Sequence, residues 1–113
     1  MNKNFINKNN KISKQLIYFG MNPKNDGFAY WVEVISSSQK LNKLKMEKIY
    51  FKLAKKYGKN RDAIERIMRY AKMVCIPKIQ EEYNCNEKIT NKKFLELFLQ
   101  GGKNVRPISR KNS

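Results

Sequence analysis

Three side chains near the middle of the chain, Glu65, Arg66 and Arg69, have the types and the spacing to read the edge of a base pair. At 3.6 residues per turn, positions i, i+1 and i+4 share one side of a helix. An arginine there can make a bidentate contact with guanine O6 and N7 in the DNA major groove, and a carboxylate can accept a hydrogen bond from cytosine N4. Arginine is otherwise scarce: the chain holds 5 Arg against 20 Lys, and three of the five fall between Arg61 and Arg69. Glu65, Arg66 and Arg69 are therefore the expected base-reading residues.

Such a face is useful only if the other side of the helix is anchored. Ile64, Ile67, Met68, Ala71 and Cys75 follow helical spacing on the side away from the arginines, which predicts a helix over about 61–76 held to the body of the domain by that stripe. Asn60 suits the N-cap, and Asp62 sits in the first turn, where the helix dipole favours an anion. Pro77 should end or kink the helix near Cys75. Upstream, Met46, Ile49, Tyr50, Leu53, Ala54 and Tyr57 make a second apolar stripe, with Lys45, Lys48, Lys52, Lys55 and Lys56 between them and Gly58 placed to stop the helix. Two helices joined by a tight turn containing glycine form the helix-turn-helix pattern.

Eight lysines and a single acid, Glu47, lie between Lys40 and Lys59. A charge run of this kind on a helix is ordinarily a solvated face. Beside an arginine-bearing helix it gains a second meaning: Lys55, Lys56, Lys59 and Arg61 are placed to neutralise phosphates and set register, with Asn60 and Tyr70 as further backbone contacts.

Composition narrows the field. With 113 residues, 41% hydrophobic and 30% charged, the chain suits one compact domain. Its 25 basic residues against 9 acids give a formal charge of +16, which favours a polyanionic partner, nucleic acid first. An AT-rich codon bias dilutes that signal, because it too would enrich the 20 Lys, 14 Asn and 11 Ile. There is no histidine, and Cys75 and Cys85 alone cannot make the three- or four-ligand shell of a zinc site. Glu81 and Glu82 are adjacent rather than facing, and Gly101-Gly102-Lys103 lacks the spacing of a phosphate loop. No enzyme activity, metal or cofactor is expected. No apolar run approaches the roughly 20 residues of a membrane span, and Met1 to Lys11 lacks the apolar stretch of a secretory signal. The expected location is cytoplasmic, at the nucleoid when bound, with no membrane partner.

The expected layout is a flexible basic tail over 1–11, a helical domain over 12–100 and a second flexible basic tail over 101–113. Ser13 is the candidate N-cap of a short first helix ending near Phe19 with Gly20 as its stop. After Pro23 and the turn Asn25-Asp26-Gly27, Phe28, Trp31, Val32 and Ile35 fall at i, i+3, i+4 and i+7, a core-facing stripe. Ser36 to Ser38 loosen the chain. Ile79 and Tyr83 allow another turn or two before a break at Asn84-Cys85-Asn86. Thr90 then caps a last helix carrying Phe94, Leu95, Phe98 and Leu99. The fold class is all-α, a compact bundle of five to six helices containing a helix-turn-helix. Tyr30, Trp31 and Cys75 are read as core, and Cys85 as a turn residue.

The run Leu53-Ala54-Lys55-Lys56-Tyr57, followed by Ile64-Glu65-Arg66-Ile67-Met68-Arg69-Tyr70-Ala71, resembles the C-terminal DNA-binding domain of the sporulation response regulators of the stage zero sporulation protein A family. Gly20, Gly27 and Tyr30-Trp31 resemble the early helices of that domain, and Lys88-Ile89-Thr90-Asn91-Lys92-Lys93-Phe94 resembles its entry to the last helix. The likeness runs from about Gly20 to Leu99. It implies a six-helix domain that binds short DNA boxes in tandem and regulates transcription, in some members by touching the polymerase sigma subunit. It also implies that Glu65, Arg66 and Arg69 occupy base-reading positions, with Tyr70 where the family often has histidine. Lys59 to Ala63 departs from the family's Thr/Ser-rich entry to that helix. The family's phosphorylatable receiver domain is not expected, because the residues before Gly20 read as a tail.

Three functions follow as alternatives. One is a sequence-specific transcriptional regulator that binds double-stranded DNA as a tandem pair or a homodimer. Another is a receiver-less antagonist that competes with a full-length sporulation-type regulator for DNA boxes or for the sigma subunit. The third is a sequence-indifferent coat on DNA or RNA, against which the clustering of arginine on one helical face argues.

Overall fold

The computed structural model describes residues 3–37 and 45–99. Six helices account for most of them: α1 (Lys3–Tyr18), α2 (Asp26–Ser37), α3 (Met46–Tyr57), α4 (Arg61–Met73), α5 (Ile76–Tyr83) and α6 (Asn91–Leu99). No strand occurs among the described residues. The protein is an all-α bundle. α2 and α4 cross at its centre; α1 packs on α2, α3 on α4, and α6 against both α2 and α4.

The core is built from the stripes that the spacing defines. Leu16, Trp31, Ile64, Met68, Cys75, Phe94 and Leu95 are fully enclosed. The indole of Trp31 meets the Phe94 ring edge-on, with centroids 4.7 Å apart, an arrangement that aromatic quadrupoles favour. Tyr30 is also buried, so α2 is covered on most sides, with Asp26, Ala29 and Ser37 left exposed.

Two boundaries differ from expectation. α1 begins at Lys3, so Ser13 lies inside a helix instead of capping one, and most of the segment expected as a tail over 1–11 is helical. Ile12 and Leu16 anchor its C-terminal half in the core, with Phe19 buried just past its end. Once that nucleus is fixed, each preceding residue adds a hydrogen bond at little further cost, and the helix extends back through weakly apolar sequence. Gly27, expected in a turn, is in the first turn of α2 and buried against α4. A Cβ at that position would stand 2.5 Å from the Ala71 Cβ and 2.9 Å from the Ile67 carbonyl oxygen, so the crossing of α2 and α4 needs a residue without one.

Other local signals act as read. Gly58 takes a left-handed conformation, φ 66°, and its N–H donates to the Ala54 carbonyl, ending α3. The Thr90 hydroxyl accepts from the Lys93 N–H at 3.1 Å at the start of α6. Pro77 lies in the first turn of α5, where its missing N–H costs nothing, and α4 ends just before, at Met73. Asn84 adopts φ 51° after α5, which places the expected break. Ser36 and Ser37 remain helical, their hydroxyls donating to the carbonyls of Glu33 and Val34 three residues back. The tail expected over 101–113 lies outside the described residues.

Candidate nucleic-acid interface

Gly58, Lys59 and Asn60 join α3 to α4. The Asn60 Oδ1 accepts from the Ala63 N–H at 2.7 Å, satisfying one of the open donors at the start of α4. Asn60 is exposed, but its side-chain oxygen is committed to the cap.

Three fastenings fix the roll of α4 about its axis. Ile64, Met68 and Ala71 are buried on the inner face. The Trp31 Nε1–H donates to the Met68 carbonyl at 2.9 Å, tying α2 to α4 inside the core. Asn91, at the start of α6, donates through Nδ2 to the Tyr50 hydroxyl at 3.0 Å and to the Glu65 carbonyl at 3.5 Å, so one buried amide touches α3, α4 and α6 together.

Lys72 completes the inner face. It is 5% exposed, and its Nζ donates to the Ile89 carbonyl at 2.7 Å. Burial pushes its ammonium below the usual lysine range, reinforced by the nearby Arg69 charge. Sequence reasoning passed over Lys72, although its spacing of four from Met68 and eight from Ile64 puts it on the apolar stripe.

The outer face carries the three expected base readers. Arg66 is exposed and makes no ion pair among the described residues. Arg69 is paired with Glu65 one turn back, Nε to Oε2 at 2.9 Å and a terminal nitrogen to Oε1 at 3.4 Å. Its guanidinium also stacks 5.0 Å from the centroid of the Tyr70 ring. The hydrogen bond that Arg69 donates to Glu65 raises the Arg69 pKa. Glu65 and Arg69 thus present a preformed carboxylate and guanidinium pair beside the free guanidinium of Arg66. Tyr70 is 56% exposed and flanks the same surface.

The expected phosphate contacts divide into two groups. Lys55 and Lys59 are exposed, and Lys56 is 57% exposed while pairing with Glu33 of α2 at 2.8 Å. Arg61 faces elsewhere. Its guanidinium grips both carboxylate oxygens of Glu47, donates to Asp62 at 2.9 Å and lies 4.9 Å from the Tyr50 ring centroid. Arg61 is therefore a strap from the start of α4 to the start of α3. The hydrogen bond from Arg61 holds the Glu47 carboxyl below its usual range.

A second strap ties α2 to α3. Glu33 accepts from both the Lys56 ammonium and the Tyr57 hydroxyl, the latter at 2.7 Å. Partial burial would raise the Glu33 pKa, but these two bonds outweigh it and hold the carboxyl below the ordinary range. The same bond pushes the Tyr57 hydroxyl up to about 12.

Among the described residues no group of three or more His, Cys, Asp or Glu side chains is arranged to hold a metal ion, and no helix is long and apolar enough to cross a membrane. Cys75 is buried and Cys85 half-buried, both as free thiols. No protein-family model, curated protein or solved structure matches the chain.

Proposed function

We propose that this protein is a sequence-specific double-stranded DNA-binding regulator of transcription, in which α3 and α4 form a helix-turn-helix and α4 enters the major groove. The observation that carries the reading is the division of α4 into two faces. Ile64 and Met68 are completely enclosed, while Arg66 and Tyr70 are exposed, Arg66 with no ion pair among the described residues, and the half-buried Glu65 and Arg69 lie beside them. A helix presented in this way matches the width of the B-DNA major groove.

The roles separate by availability. Arg66 has its donors open and reads guanine. The Glu65 and Arg69 pair supplies an acceptor and a donor at fixed separation, and it discriminates by leaving one of them unsatisfied on a mismatched pair. Lys55, Lys56 and Lys59 neutralise phosphates on either side of the Gly58 to Asn60 turn. Arg61 acts through Glu47 and Tyr50, setting the angle between α3 and α4. The net charge of +16 draws the protein to the polyanion before any base is read. Copies on adjacent boxes in the bacterial nucleoid belong to the same reading.

Selection of bound duplexes from a random pool at about 150 mM salt, where exposed charges more than about 8 Å apart are largely screened, tests it directly. An enriched box is the expected result, and the spacing of repeated boxes reports whether copies bind in tandem. Recovery of a pool without any preferred sequence would reduce the protein to a charge-driven coat.

A further inference from the structure

The outer face of α3, apart from Lys55 near its end, has no part in the DNA surface proposed above, and on it only Ile49 leans against the core. Tyr50, Leu53 and Ala54 hold that helix to the bundle. Phe51 points away from them and, at 61%, is the most exposed large apolar side chain among the described residues. Lys48, Lys52 and Lys55 stand three before, one after and four after it, and the Lys55 ammonium lies 5.6 Å from the centre of its ring. With Ile49, these residues line an open groove of about 760 Å³ that also includes Glu47 and Arg61.

We infer that this groove docks an acidic amphipathic helix of a partner protein, whose apolar residues cover Phe51 and Ile49 while its carboxylates pair with Lys48 and Lys52. An apolar floor inside a cationic rim is complementary to an apolar stripe inside an acidic rim, the helix-in-groove mode of recognition. Competing occupants fit less well. The phosphate backbone of a duplex offers charge but nothing apolar to cover the Phe51 ring. A second copy of this chain carries the same charge of +16, so like charges would face each other across the contact. An anionic bilayer suits the lysines, yet a single phenylalanine inserts far less apolar area than stable interfacial binding draws on. The inference goes beyond the DNA reading and does not rest on it.

The test uses the full chain, isotope-labelled for NMR, and a synthetic helical peptide with Leu at i, i+3, i+4 and i+7 flanked by Glu. The control peptide has Ser in place of every Leu. Expected are shifts confined to the amides around Lys48 to Lys55, with affinity for the Leu peptide reduced about tenfold or more by Phe51→Ser and also reduced by Lys48→Glu combined with Lys52→Glu. Thermal unfolding of Phe51→Ser should stay close to the parent, because most of the residue is exposed, so the loss is not a loss of fold. Equal binding of the Ser control, shifts on another surface, or full binding by Phe51→Ser would overturn the inference. So would coverage of the Lys48 to Lys52 amides by duplex DNA, or by phosphatidylserine vesicles in place of the peptide.

Discussion

Arg69 closes back on Glu65, its Nε 2.9 Å from Oε2, on the same turn of helix that leaves Arg66 without an ion-pair partner among the described residues. Two arginines three residues apart therefore differ in what they can do. One is committed to a neighbouring carboxylate and stacked on Tyr70; the other is free to bind whatever the surface meets. A half-exposed i, i+4 pair of this kind contributes on the order of 0.5 kcal/mol to stability, so its value lies in fixing geometry.

Releasing Arg69 should trade selectivity for general affinity. Glu65→Ala frees one more guanidinium, so binding to random duplex is expected to strengthen and the slope of log K against log salt to steepen by roughly 0.9. Titrations at several salt concentrations measure both. An unchanged slope would show that Arg69 never reaches a phosphate.

Arg66→Ala should lower the preference for the selected box over random duplex by about 1–3 kcal/mol, with the effect centred on one base position. Lys59→Ala, in contrast, should weaken binding to every duplex alike. Arg61→Ala is expected to lower thermal stability through loss of the Glu47 and Tyr50 contacts, and to change the salt slope less than Lys59→Ala does. A salt slope altered as much by Arg61→Ala as by Lys59→Ala would return Arg61 to the phosphate-contacting group.

Gly27→Ala tests the crossing of α2 and α4. Alanine in a helix ordinarily gains about 0.5–1 kcal/mol over glycine. Here the added methyl meets Ala71 at 2.5 Å, and overpacking of that kind costs about 1–3 kcal/mol, so net destabilisation is expected. Pairing it with Ala71→Gly should recover part of the loss. Urea unfolding of the two single variants and the double variant measures the coupling.

Cys75 and Cys85 should react in sequence. Burial pushes the Cys75 thiol up to about 11, whereas Cys85 is half-buried. At pH 8 a thiol reagent is expected to modify one cysteine quickly and the second only as the fold opens. Because the folded-state value lies above the ordinary 9, the stability linked to this thiol is fully present below pH 9 and is lost as pH rises toward 11.

Lys72 acts in the opposite sense. Its pKa is lowered on folding, so the unfolded chain binds the proton more readily and stability should rise with pH between the depressed native value and the ordinary 10.5. Lys72→Met should abolish that rise while changing stability near neutral pH by less than about 1.5 kcal/mol. Chemical unfolding from pH 7 to 10.5 compares the two proteins.

Much of the architecture was legible because local rules and burial agree. Asn60, Gly58 and Thr90 mark helix ends with their own side chains or backbone, and the stripe through Ile64 and Met68 states which side of α4 faces inward. What escaped depends on partners far along the chain. Asn91 meets Tyr50 at a separation of 41 residues, and Lys56 meets Glu33 at 23. Arg61 looked available because Glu47 belongs to the preceding helix, 14 residues away. Gly27 sits in an Asn-Asp-Gly run that signals a turn, and only Ala71 reveals why a glycine is needed there. The start of α1 was hidden because its Asn and Lys residues carry no apolar periodicity of their own.

The chain contains one tryptophan, and its indole N–H is bonded to the backbone of α4 at Met68. The molecule thus carries a built-in optical gauge. Any event that lifts that helix from its seat, whether heat, mutation or a bound duplex, breaks this bond and admits water to the ring, and the emission shifts to the red without any added dye.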